Sequence, residues 1–150
     1  MKIEEELKQD KFRSNVHKAL VNVMFTNSWI TDRFRVVFKN YNLTAQQYNV
    51  LRILRGGYPD AMNPNQIKAV MIDKNPDLTR LCDRLVVLGY IDRCVNDENK
   101  RKMNIRINDK GLEILNDIDP VMNTVQSELL GLNEEEALQL SNLLDKFRDS

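Results

Sequence analysis

Between positions 75 and 88 the chain carries Asn75, Asp77, Thr79, Arg80, Asp83 and Arg84, interleaved with Leu78, Leu81, Leu85 and Leu88. The leucines recur at steps of three and four. On an α-helix they gather on one side and leave the polar set largely on the others. Such a helix fits the major groove of DNA, where arginine pairs bidentately with guanine and threonine or asparagine reaches base edges or phosphates. A solvated face of mixed charge has the same pattern, and this helix alone does not separate the two readings. A second cluster, Lys100-Arg101-Lys102, ends the polar stretch 96–102 between two alternating segments, Tyr90–Val95 and Met103–Ile107. That order describes a β-hairpin with a charged tip, a shape that backbone phosphates or a narrow minor groove attract. From Lys74 to Arg106 eight basic residues face five acidic ones, a local charge of +3 in a chain whose formal net charge is zero. Two DNA-apt surfaces in this order are a stronger signal than either alone.

The elements around these residues are mostly helical. From Glu5 to Lys39 the apolar residues Phe12, Val16, Ala19, Val23, Ile30, Phe34 and Val37 recur without an intervening Pro or Gly. They predict one long helix, with Asn27-Ser28 as its weakest point. Thirty-odd residues would reach about 45 Å, more than a domain of this size needs for its own core, which points to packing against a second chain. Thr44-Ala45-Gln46-Gln47 is a capping box that opens a second helix, with Gly56-Gly57 as its left-handed terminator. Tyr58–Met62 reads as a loop. Asn63-Pro64 and Asn75-Pro76 open two short helices in the same way, cap then proline, and Gly89 ends the second. The first of the pair turns Ile67, Val70 and Met71 inward. Two short helices joined by a tight turn make a helix-turn-helix, and a hairpin directly after it is a wing. Asp109 caps a further helix that Pro120 should kink or delay, and Asn133–Glu136 caps the last.

Other chemistries find little support. Cys82 and Cys94 are too few for a disulfide framework or a zinc cluster, and His17 is the single histidine, so no metal or cofactor is expected. There is no phosphate-binding glycine loop and no nucleophile elbow, so an enzyme is not expected. With 42% hydrophobic and 29% charged residues the chain can bury a core and stay soluble. No stretch reaches the roughly 18–20 apolar residues of a membrane span, and the cytoplasm is the expected location.

The sequence Leu43-Thr44, Val50-Leu51, Leu54, then Pro76–Leu85, then Leu88-Gly89-Tyr90-Ile91-Asp92-Arg93, resembles MarR-family regulators in order and spacing. Asn108-Asp109-Lys110-Gly111 after the wing matches that family's LTxxG in part, and Gly131–Glu136 before the last helix extends the similarity over nearly the whole chain. The resemblance implies a homodimer built from the terminal helices (5–40 and 109–148), with the winged lobe (44–108) of each copy on one half of a palindromic double-stranded DNA site. It places Thr79, Arg80 and Arg84 in the recognition helix and Arg101 at the wing tip that enters the minor groove. Where the family shows Asp-Pro-x-Asp-x-Arg, this chain has Asn96-Asp97-Glu98-Asn99-Lys100-Arg101, so a carboxylate that often orients the wing arginine is replaced by Asn99. Family members commonly release DNA when a small aromatic or phenolic ligand binds between the dimer helices and the winged lobe. Trp29, Arg33, Phe34 and Tyr48 are the candidates to line that crevice, with plain core packing as the other reading.

The expected fold is therefore mainly α with a small β-hairpin wing, a winged helix-turn-helix lobe between terminal dimerisation helices. The expected function is a ligand-released, DNA-binding repressor. A winged-helix scaffold that binds protein instead of DNA is the alternative from another class. A dimer without salt-dependent DNA affinity would favour that alternative.

Overall fold

Side chains that satisfy the free backbone groups at helix ends decide where the helices of this chain begin. The computed structural model describes residues 1–95, 103–129 and 131–149. In α3 (Ala45–Gly57) the Thr44 hydroxyl accepts from the Gln47 N–H at 3.2 Å, and Gln47 Oε1 accepts from the Thr44 N–H at 2.9 Å. Asn63 and Gln66 exchange the same pair of bonds at the start of α4 (Pro64–Val70), as do Asn133 and Glu136 at the start of α7 (Glu134–Arg148). These three reciprocal boxes each satisfy two otherwise free N–H groups, and the three helix starts lie where the sequence places them.

Several boundaries differ from expectation. The long N-terminal helix is two: α1 (Ile3–Leu7) and α2 (Asn15–Lys39). The break needs no Pro or Gly. Lys8 turns left-handed at φ 50°, the Gln9 N–H reaches back to the Glu4 carbonyl at 3.0 Å, and Ser14 then caps α2 by accepting from the His17 N–H at 3.1 Å. Asn27-Ser28 lies inside α2 without interruption. Gly56 and Gly57 stay helical. The helix stops at extended Tyr58, the conformation favoured before Pro59. The helix expected over 75–88 is α5 (Leu78–Val87), capped by Asp77 and not Asn75, because the Asp77 carboxylate accepts from the Arg80 N–H at 3.2 Å. Val70 is exposed, whereas Ile67 and Met71 are buried. Asn108, not Asp109, caps α6 (Asp109–Leu129), and that helix does not start late, since Pro120 lies inside it.

β1 (Ile91–Val95) and β2 (Met103–Ile107) form an antiparallel hairpin in which Ile91 faces Ile107 and Arg93 faces Ile105. The stretch read as a loop adds a short third edge, since Met62 and Ile105 exchange backbone bonds at 2.8 Å each way. Gly89 supplies the left-handed turn, φ 77°, between α5 and β1. One apolar core joins α3, α4, α5, the hairpin and α6 through Leu51, Leu54, Ile67, Leu85, Leu115 and Ile118. Arg55 of α3 reaches across to Asp119 of α6 in a two-pronged pair at 2.7 and 3.3 Å. Outside that core, α7 buries none of its described residues, and Leu138, Leu143, Val16 and Met24 are each more than 60% exposed. A single chain leaves the apolar stripes of its terminal helices uncovered, which costs free energy in water.

Candidate nucleic-acid interface

Helix α5 sits on the core through Leu78, Leu81, Cys82 and Leu85, and this fixes which side chains it offers outward. Thr79, Arg80, Asp83 and Arg84 are all exposed, and Asn75 lies exposed in the turn before the helix. Their charges are not equivalent. Asp77 is turned back onto the helix as its cap, and Asp83 is engaged by the Arg93 guanidinium from β1. Arg80 and Arg84 have no carboxylate partner among the described residues. The outward face of α5 is therefore cationic although the segment 75–88 is charge-balanced in sequence. Lys100, Arg101 and Lys102 lie outside the described residues.

The turn leading into α5 is tied to α3. Asn49 Oδ1 accepts from the Ile72 N–H at 3.0 Å, and the Gln46 amide donates to Asp73, whose other oxygen accepts from the Asn75 N–H at 2.9 Å. The opposite end of α5 is held as firmly. Lys110 Nζ donates to the Leu88 carbonyl at 3.0 Å and stands 5.4 Å from the centre of the Tyr90 ring. Asn108 donates to the Gly89 carbonyl at 3.1 Å and accepts from the Gly111 N–H at 3.0 Å. The segment Asn108–Gly111 thus clamps the junction between α5 and β1.

A crevice of about 500 Å³ opens between the C-terminal half of α2 and the start of α3, with Arg35, Phe38, Gln47 and Arg84 among its walls. A second groove of about 410 Å³ shares Thr44, Gln46, Gln47 and Arg84 with it and continues to Asp77 and Arg80. Of the four residues expected around such a crevice, none lines it. Trp29 and Arg33 pair with each other along α2, the guanidinium 4.2 Å from the ring centre. Phe34 packs at 6.2 Å on Phe38, and Phe38 at 4.6 Å on buried Tyr48, whose hydroxyl accepts from Arg52 at 3.0 Å. Phe38, Arg35 and Arg93 are functional candidates that the sequence reading passed over. The hairpin register carried a signal for Arg93, because it shares the inward side with Ile91.

Cys82 is 2% exposed, and burial pushes its thiol from 9.0 up to about 11, against the opposing pull of nearby Arg93. Because the folded value lies above the unfolded one, its contribution to stability is complete below pH 9.0 and is lost as pH rises through about 11. A Cys94→Ser variant is therefore expected to resist thiol-disulfide reagents near pH 8 until it is unfolded. Labelling of the folded variant would contradict the buried, protonated thiol.

No protein-family model matches the chain. It is 33% identical over 114 residues to the HTH-type transcriptional regulator PecS of Dickeya dadantii (strain 3937), a match that covers 73% of this chain and 68% of PecS. It is 30% identical to a MarR transcription factor from Planctomyces limnophilus, over 93% of this chain and all of that one, with a TM-score of 0.71. The chain belongs to the MarR family. This MarR-family chain is accordingly a transcriptional regulator and not an enzyme. Its fold is also that of the organohalide-sensing regulator RdhR-CbdbA1625, solved in its 2,4-dichlorophenol-bound form. The two share 18% identity and a TM-score of 0.81, over 91% of this chain and 80% of the other. Among the described residues of this family member, no helix is long and apolar enough to cross a membrane.

Proposed function

We propose that this protein is a cytoplasmic homodimer that binds a palindromic double-stranded DNA site and represses transcription until a small aromatic or phenolic ligand releases it. The observation that carries the DNA reading is the charge sorting on α5: both carboxylates are turned to partners within the protein, and both arginines are left facing outward. Thr79, Arg80 and Arg84 enter the major groove, with Asn75 at its edge. Asp77 and Asp83 shape the same surface without reading bases. Lys100, Arg101 and Lys102 bind the flanking minor groove and backbone. The uncovered apolar stripes of α2 and α7 meet their counterparts in the second copy, and this sets the spacing of the two recognition helices.

The ligand enters the crevice between α2 and α3, where Arg35 and Arg84 supply charge to match an acidic or phenolic group. Phe34 and Tyr48 form the aromatic backing behind Phe38, and Trp29 pairs with Arg33 on the same helix, outside the crevice wall. Selection of fragments from pooled genomic DNA tests the DNA reading. It should return inverted repeats whose half-site centres are about 10 base pairs apart, one turn of the duplex. Recovery of fragments with no shared repeat would argue against it, and so would recovery of none.

A further inference from the structure

The pairing register turns alternate hairpin residues to the same side. Ile91 with Ile107 and Arg93 with Ile105 occupy the inward side, followed by Val95 with Met103. Ile91, Ile105 and Ile107 are buried, whereas Val95 and Met103 are 57% and 42% exposed. The hairpin therefore runs off the core between the second and third inward pairs. At that step the sequence places an arginine where an apolar side chain would continue the core. Arg93 reaches Asp83, in the middle of α5. Beneath it lies a cavity of about 120 Å³ bounded by Lys68, Thr79, Cys82, Arg93 and Met103. On its Ile105 side this rung is pinned to Met62 by two backbone bonds, whereas on the Arg93 side the cavity leaves the gap to α5 without close packing. Toward the base the hairpin is fastened by Asn108, which donates to Gly89 and to Asp92 Oδ1 at 3.2 Å.

We propose that Asp83 is a positioning residue: its ion pair with Arg93 fixes the angle at which the wing leaves the recognition helix, so that both reach one duplex together. The inference rests on the DNA-binding reading above and deepens it. The pair is partly exposed, with side chains 56% and 39% accessible, so its removal should leave the fold intact. Its consequence runs against simple charge. An aspartate that merely faced DNA would repel phosphates, and its loss would tighten binding.

The test measures affinity, hydroxyl-radical footprints and, in the DNA-free protein, residual dipolar couplings of the β1 and β2 amides against those of α5. Asp83→Ala is expected to bind roughly fivefold more weakly and to lose protection at the flanks of the site while keeping it at the centre. The swap Asp83→Arg/Arg93→Asp should recover most of that loss, whereas either reversal alone should not. The couplings should shift in Asp83→Ala and return in the swap. Unchanged couplings in Asp83→Ala overturn the proposal whatever the affinity does, and equal or tighter DNA binding overturns it as well. Should the wild-type protein bind no DNA, the DNA reading fails by itself, and the couplings alone decide whether Asp83 sets the wing.

Discussion

Gly111→Ala will destabilise the folded chain by about 3 kcal/mol, although the position is helical and alanine is the better helix former. Intrinsic propensity alone would give a gain of about 1 kcal/mol at such a site. The surroundings reverse the sign. A Cβ on Gly111 would stand 2.6 Å from Ile107 Cγ1 and closer still to the Tyr90 carbonyl oxygen. Neither can retreat easily. Ile107 is 1% exposed in the core, and the Tyr90 carbonyl accepts from the Asn108 N–H at 3.2 Å. The first turn of α6 must press against the base of the wing, and only glycine permits the approach. Urea denaturation should show a lower midpoint at an unchanged slope. Gly56→Ala is the internal control: it lies in α3 with nothing within 4 Å of its Cβ, and should be neutral or stabilising. Equal effects from the two substitutions would refute the close-approach argument.

Arg84→Ala will cost about 1–3 kcal/mol of discrimination between the selected site and scrambled duplexes, a factor of roughly 5–150. Lys100→Ala will weaken both alike. The division follows from position. Arg84 projects from α5 without a carboxylate partner among the described residues, and a planar guanidinium can meet a guanine edge with two bonds. Lys100 belongs to the polar stretch of the hairpin, where a phosphate contact carries no base information. Competition binding at one fixed salt concentration measures both. The same loss of discrimination from both variants would contradict the assigned roles.

Much of this architecture was legible because it is written in short-range chemistry. The Thr44–Gln47, Asn63–Gln66 and Asn133–Glu136 boxes each specify a helix start within four residues, and alternation specified both hairpin strands. The misplaced boundaries arise where two local signals compete. Asn75 and Asp77 can both cap, and the aspartate takes the position: its carboxylate accepts from the Arg80 N–H, while the Asn75 N–H is turned to Asp73. Asn108 likewise takes the cap from Asp109, since its amide also bonds Gly89 and Asp92. The left-handed Lys8 had no glycine to announce it. At the site, residue types were readable but their partners were not. Sequence gave Asp83 and Arg84 equal standing on one helix. The hairpin register, a contact between segments apart in the chain, brings Arg93 to the first and leaves the second without a carboxylate partner among the described residues. The crevice shows the same limit: Phe34 and Tyr48 were identifiable as aromatics, while Phe38 and Arg35 became its lining only through the crossing of α2 and α3.

The central claim is that the outward arginines of α5 hold DNA. Fluorescence anisotropy of the purified protein with a selected genomic fragment, titrated at two salt concentrations beside an Arg80→Ala/Arg84→Ala variant, tests it most directly. The expected result is tight binding by the wild type that weakens steeply with salt, as counterion release requires, and loss of site-specific binding in the variant. Wild-type affinity that is absent at low salt, or that the variant retains in full, would contradict it and turn attention to the winged lobe as a surface for protein.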